Sequence, residues 1–394
     1  MCICAMAPAS HIRGPDGTDS SRPTRYPERM KRPLHTLTAA ELTEICRTHF
    51  GLDAEVGDFL PGEIAINVRL RAAGRDYVLK AEYPTRTMGP GHIDWITRVQ
   101  ETAARAGLPV AGQVPALTDA AADAVAAEAG HTRAGEEHRP FVASVDVPAG
   151  TQPALIRIQE YLPGRVAAGA HLPENYPAQV GRTAAAVVNA LAGMAGEPGP
   201  MVHPWSFETT GANVLFACQR IASLEAAGQV AAEVSGQLSG DLALARAAAQ
   251  RFEADIVPQL DGLERQVVHQ DLNDFNLLVG DGKITGIIDF GDARTAPRVA
   301  ELAIAAAYTM LGTDRPLTAL RQAVAAYQTA VAGMPAELTE TELGLIEHAA
   351  FTRLCLNACI WTSRTLTARA DDPRAAYGRE RMKRTWPVLR EVLR

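Results

Sequence analysis

Between the apolar pair Val267-Val268 and the apolar run Leu277-Leu278-Val279 lies HQDLNDFN, His269 to Asn276, a loop crowded with hydrogen-bonding and ionisable side chains. Two strand-prone runs around so polar a loop mark it as a place that holds something. Asp271 stands five residues before Asn276, and IIDFGD places Asp289 thirteen residues further on. GDGK, residues 280–283, is a hairpin-turn signal, and the pairing it permits sets the loop with Asp271 beside the end carrying Asp289. Three oxygen-bearing side chains then converge. Hard oxygen donors suit Mg²⁺, which takes one or two carboxylates together with substrate phosphates.

Upstream, the apolar run YVLK ends in Lys80. An ammonium rising from a strand into a cleft can pair with phosphate oxygens, whose charge offsets its desolvation. A lysine on phosphates, an Asp and an Asn holding metal, and an Asp placed to accept a hydroxyl proton make a phosphoryl-transfer set. The spacing is that of the kinase loop H-x-D-L-x-x-x-N followed by D-F-G. Each part alone has a plain explanation: a solvated strand-end lysine, a capped turn, a chance Asp-Phe-Gly. Their order and context together argue against all three.

HQDLNDFNLLV with GIIDFGD resembles the aminoglycoside phosphotransferase and choline kinase superfamily, and within it the hydroxylysine kinase-like branch. The resemblance continues through YVLK, AGLPV, EYLPG and RVAELAIAAAYTM, over about residues 35 to 390. It implies an α+β, two-lobed protein kinase-like fold: a small N-terminal antiparallel β-sheet lobe and a larger, mainly helical C-terminal lobe. It implies that Asp271 is the catalytic base, that Asn276 and Asp289 hold Mg²⁺, and that Lys80 contacts the nucleotide phosphates. By the same likeness His269 braces the loop backbone, while Asp274 and Asp292 shape the loop or face the acceptor.

The implied activity is transfer of the γ-phosphate of ATP, with GTP as an alternative donor, to a hydroxyl of a small amino-containing acceptor such as 5-hydroxylysine. Two other functions fit the same residues: inactivation of an aminoglycoside or other antibiotic, with a more acidic acceptor pocket, and nucleotide-dependent regulation without catalysis. The family's helix glutamate, partner of the strand lysine, would fall near Ile96 to Arg98, where no acid stands, so Asp94 or Glu101 would have to serve. LPGEIAIN, the turn expected over the phosphates, has one glycine.

The elements that must position these groups follow from the pattern. TAAELTEICRTHFG, from Thr38, has a capping threonine, apolar positions at helical spacing and a closing Gly51. VGDFL, AINVRLRAAG and RDYVLKAEY alternate apolar and polar residues, as in an antiparallel meander. A helix is expected over Asp94 to Ala106, then strands in FVASVDV and ALIRIQEYL, and a hinge at Pro163-Gly164. Beyond about 176 the pattern is helical except at 266–290, where QVVHQ, NLLVG and KITGIIDF read as short strands. The expected organisation is a disordered tail over 1–34, a nucleotide-binding lobe over 35–162 with a mobile insertion at 117–138, and a catalytic, acceptor-binding lobe over 163–394. Met30 is an alternative start. The helical stripes holding Tyr308 and Arg353, Asn357 and Trp361 read first as core and second as acceptor lining, and Glu301 reads as a buried ion-pair member.

Composition removes several function classes. With 394 residues, 47% hydrophobic and 21% charged, the chain is an ordinary globular protein of two or three domains. A net charge of −7 with no basic run argues against a nucleic-acid partner. VAELAIAAAYTMLG, 299–312, contains Glu301 and is too short to cross a bilayer, and MCICAMAPAS lacks a basic leader region, so a cytoplasmic location with no membrane partner is expected. The six cysteines make no disulfide framework; Cys355 and Cys359 read as buried small residues, and Cys2, Cys4 and His11 lack the further ligands of a metal site. Oligomeric state leaves no mark in the sequence.

Overall fold

A capping box opens the first helix: Thr38 Oγ1 accepts from the Glu41 amide, and the Glu41 carboxylate accepts from the Thr38 amide at 2.8 Å. Helix α1 (Ala39–Phe50) ends where Gly51 turns left-handed at φ 66°. The computed structural model describes residues 33–394 except 61, 63–64, 86, 118–139, 149, 151, 200–202, 231 and 369–372. Residues 1–32 of the expected tail, with Cys2, Cys4, His11 and Met30, lie outside these residues, as do nearly all of the 117–138 insertion and most of the turn after Leu60; Leu34, at the end of that tail, is instead a buried residue opening a 3-10 turn.

The period then shifts to two. Strands β1 (Glu55–Leu60), β2 (Ile66–Ala72) and β3 (Arg75–Glu82) form an antiparallel meander. Strand β4 (Gln113–Val114) and β5 (Ala143–Val145) share one edge of β6 (Ala154–Glu160), whose other edge pairs antiparallel with β3. In that register Lys80 lies opposite Arg157 on one side and Asn67 on the other. The sheet and α1 bury one apolar core, with Leu42, Phe50, Leu70, Leu79, Ile156 and Ile158 at its centre.

Helix α2 (Pro90–Arg105) begins four residues before the expected start, because Pro90 fits the first turn, where its missing N–H costs nothing. Its Ile93, Ile96, Val99 and Ala103 belong to the second, larger core rather than to that of the sheet. That core gathers α3 (Tyr176–Leu191), α4 (Thr210–Ala226), α5 (Ala232–Asp255), α6 (Val299–Thr309), α7 (Pro316–Val331), α8 (Glu340–Thr367) and α9 (Pro373–Val392). Every residue of α6 is buried. Helix α8 is long and apolar enough to span a membrane by length and composition, yet 72% of that window is buried inside the fold, as befits a central core helix. Cys355 and Cys359 are indeed buried within it.

The 266–290 region departs from a single hairpin with neighbours. Strands β9 (Leu277–Gly280) and β10 (Lys283–Ile287) do form the hairpin, and its two-residue turn is left-handed at both Asp281 (φ 50°) and Gly282 (φ 72°). Strand β7 (Arg165–Val166), directly after Pro163-Gly164, pairs with β9, so the chain is stitched to the hairpin there. Strand β8 (Arg265–Val268) pairs instead with β11 (Arg294–Pro297), an unexpected two-stranded ladder. These short strands clamp both ends of the polar loop and of the DFGD segment.

Candidate active site

The HQDLNDFN loop leaves β8 through a strained step, since Gln270 is left-handed at φ 62°. Glu301 of α6 holds that step: its Oε2 accepts from the backbone amides of His269 at 2.7 Å and Gln270 at 3.2 Å. Glu301 is fully buried, and burial pushes its carboxyl above the usual range. The ion pair expected of it is replaced by this backbone bracing, a role that local sequence does not reveal because the contact spans about thirty residues.

His269 ties the loop to the DFGD segment. Its Nδ1 accepts from the Asp271 amide at 3.2 Å, which leaves the proton on Nε2 to donate to the Ile288 carbonyl at 3.1 Å. Its ring packs on Phe290 at 4.4 Å between centroids. Across the hairpin, Ile288 N donates to Asn276 O at 2.9 Å, which sets Asp289 beside Asn276. Asp289 is left-handed at φ 61°, a conformation Asp tolerates, and this aims its carboxylate out of the strand.

The residues selected by spacing meet. Asn276 Nδ2 donates to Asp271 Oδ2 at 2.7 Å and to Asp271 O at 2.8 Å. With its amide nitrogen so committed, its carbonyl oxygen is the end left for a cation. Lys80 reaches across from β3 to Asp289, Nζ to Oδ1 at 3.5 Å. Lys80 holds the exposed Asp289 carboxyl below its usual range, helped by Arg157. One carboxylate and one amide oxygen side by side form a hard donor set that fits Mg²⁺. The acid partner proposed for Lys80 on α2 is thereby corrected: Asp94 is engaged by Arg98 Nε at 2.6 Å and the Phe141 amide at 3.0 Å, and Glu101 by Arg105 and the Gln113 amide, while Asp289 faces the lysine.

Asp271 is half-buried, with 21% of its side chain exposed. Burial and the neighbouring charge of Asp292 push its carboxyl up to about 7, against the opposing pull of Arg353 and a hydrogen bond from Asn273. Asp292 itself is paired with His203 at 3.2 Å. Asp274 is buried under the loop between Arg381 (2.8 Å) and Arg384 (3.1 Å) of α9. Arg353 of α8, fully buried, donates from Nη2 to Asp271 Oδ1 at 2.8 Å. Of the stripe residues named from the sequence, it alone bonds directly to Asp271 among the described contacts; Asn357 accepts from Arg381, and Tyr308 and Trp361 pack with arginines. Chemically, this is a cleft that can bring a phosphorylated, metal-loving ligand against a carboxylate of raised basicity.

A model of the phosphotransferase enzyme family matches residues 55–338 of the chain. The hydroxylysine kinase of Danio rerio is 25% identical over 305 residues, covering 76% of this chain and 78% of that one. The hydroxylysine kinase of Mus musculus is 26% identical over 199 residues, covering 48% and 49%. Among solved structures, a microcompartment-associated aminopropanol kinase aligns with a TM-score of 0.58 at 16% identity, over 90% of this chain and 97% of that one. Spectinomycin phosphotransferase in complex with ADP and spectinomycin aligns with a TM-score of 0.56 at 12% identity, over 91% and 99%. These likenesses establish the two-lobed, kinase-like α+β fold. The family match covers most of the chain and takes in Lys80, the whole HQDLNDFN loop and Asp289, so the chain belongs to the phosphotransferase enzyme family and phosphorylates small-molecule hydroxyl groups.

Proposed function

We propose that the protein transfers the γ-phosphate of ATP to a hydroxyl of a small amino-containing acceptor, in the manner of the hydroxylysine kinases it resembles. The observation that carries this reading is the meeting of Lys80 from the sheet with Asp289 from the helical lobe, next to an Asp271 already oriented by Asn276. A nucleotide complex of the similar spectinomycin phosphotransferase supports a nucleotide donor.

In this reading Lys80 leaves Asp289 for the phosphates of the donor. Asn276 and Asp289 would hold Mg²⁺, which would supply charge neutralisation for the phosphoryl group. Asp271 accepts the acceptor's hydroxyl proton as its oxygen attacks phosphorus, and its raised pKa suits a base working near neutral pH. Glu301 and His269 contribute by fixing the loop, so that Asp271 spends no time finding its orientation. ATP is the donor of choice, with GTP the alternative, and the cytoplasm is the location proposed. Arg353 on one side and Asp292 on the other stand near Asp271, so the charge around the base does not by itself select a polycationic acceptor.

A donor-consumption screen with Mg²⁺ and either ATP or GTP, across hydroxylated amino acids, amino alcohols and aminoglycosides, tests the proposal. Turnover with an amino-bearing acceptor of the first two groups is the expected result. Nucleotide binding without turnover on any acceptor would favour a regulatory protein, and turnover on aminoglycosides alone would assign antibiotic inactivation.

A further inference from the structure

We propose that Arg353 reads a carboxylate on the acceptor, and that such an acceptor draws this guanidinium away from Asp271, uncovering the base only when it is bound. The inference rests on the reading of Asp271 as the base and deepens it.

Both oxygens of Asp271 are engaged, Oδ2 by Asn276 at 2.7 Å and Oδ1 by Arg353 at 2.8 Å. The asparagine bond orients the carboxylate and is compatible with proton transfer from another direction. The guanidinium is a different matter, because a full positive charge on the accepting oxygen makes it a poorer base and occupies the approach of a hydroxyl. Arg353 is held at its other end, where Nη1 donates to the Trp205 carbonyl at 2.6 Å and the head lies over the Trp205 ring at 5.1 Å. Its Nε is buried with no hydrogen-bond partner among the described residues. To leave Asp271 the head must turn about the Trp205 anchor and give up its hydrogen bond with Tyr308, and the unpartnered Nε is the part of the group that such a turn can satisfy.

The surroundings say what would draw it. Arg364 stacks on Trp361 at 4.8 Å and lies 6.0 Å from the Trp205 ring. Arg294 is buried nearby with Nη2 lacking a partner among the described residues; the charges of Asp292, Glu197 and Glu208 act on it, and so does that of Arg353. Asp274, the buried acid that might have balanced this wall, is already held by Arg381 and Arg384. The side of Asp271 that faces α8 thus presents the guanidinium groups of Arg353 and Arg364, while the acids Asp292, Glu197 and Glu208 lie toward Arg294. An acceptor bearing only ammonium groups meets repulsion there, whereas a carboxylate supplies the missing anion and matches the guanidinium fork.

With the acceptor seated, its carboxylate takes the Arg353 bond and its hydroxyl takes the vacated Oδ1. The hydroxyl proton passes to Asp271 as the new oxygen–phosphorus bond forms. The bond from the γ-phosphorus to its bridging oxygen breaks, and the diphosphate leaves with the electron pair. Asp271 later returns its proton to solvent.

The test is phosphoryl transfer from Mg·ATP to two matched pairs: threonine against 1-aminopropan-2-ol, and 5-hydroxylysine against its methyl ester. In the native protein the carboxylate-bearing member of a pair is expected to have a kcat/KM roughly 10- to 100-fold higher, the worth of one charge-assisted hydrogen-bonded pair. In Arg353→Gln the gap closes through a raised KM for the carboxylate member, and acceptor-independent ATP hydrolysis increases. The native comparison stands even if the variant does not fold. Equal use of both members by the native protein overturns the inference while leaving the phosphotransferase reading intact. Equal slowing of both members in Arg353→Gln overturns it too, and would place Arg353 on the transferred phosphoryl group. If neither pair is phosphorylated at all, the amino-acceptor reading fails and this inference falls with it.

Discussion

The ionisation of Asp271 couples function to pH in a direction the structure fixes. Its folded-state pKa of about 7 lies above the ordinary aspartate value, chiefly through burial and then through Asp292. As the proposed base, Asp271 must be ionised, so kcat/KM for the acceptor should rise with pH through an inflection near 7. Asp292→Asn, which removes the second cause, should move the inflection to lower pH; an unmoved inflection in the pH–rate profile would mean that Asp292 does not act on the base. The same shift bears on stability. Between about pH 4 and pH 7 the folded protein keeps a proton that the unfolded chain releases, so this residue's contribution is lost as pH rises through that window. Thermal melts should accordingly show Asp271→Asn gaining on the native protein as pH increases. At this scale the sequence was most informative: His269, Asp271, Asn276 and Asp289 are tied by spacing within one loop and hairpin, and the structure brings them together with Lys80. Arg353 was visible only as a polar residue on a helical stripe, since its contact with Asp271 spans 82 residues and leaves no periodic trace.

At the scale of elements, the loop depends on α6 more than on its own hydrogen bonds. Glu301 is the acceptor for the first two amides of the loop, and one of those belongs to the left-handed Gln270. Glu301→Ala would leave two buried N–H groups without an acceptor and a cavity beside them. The expected loss is about 2–4 kcal/mol in chemical denaturation, with faster amide exchange at His269 and Gln270. A variant as stable and as protected as the native protein would show that β8 and β11 hold the loop unaided. Those short strands also explain where sequence reading falters. The β9–β10 hairpin is announced by Asp281-Gly282, whose left-handed turn has a chemical signature, whereas β7 and β11 have two and four residues and too little alternation to stand out. Helix α2 was recognised by its period and misjudged at its start, because Pro90 sits before the first apolar repeat.

For the whole molecule, there are two separate cores, and Lys80–Asp289 is an ion pair between the elements that carry them. Gly164, at φ 148° and with Leu278 Cβ only 2.9 Å from where its own Cβ would stand, passes the chain from sheet to hairpin where no larger residue fits. The two-lobed plan was legible because alternation gives way to helical spacing along the chain. The side of the cleft on which α2 packs was not, because an amphipathic stripe names a buried face without naming its neighbour. The most direct measurement of the central claim is single-turnover phosphoryl transfer at saturating Mg·ATP, comparing the native protein with Asp271→Asn. Nucleotide affinity should hold while the transfer step slows by roughly 10²- to 10⁴-fold; transfer at the native rate in Asp271→Asn would contradict the placement of the chemistry at this carboxylate.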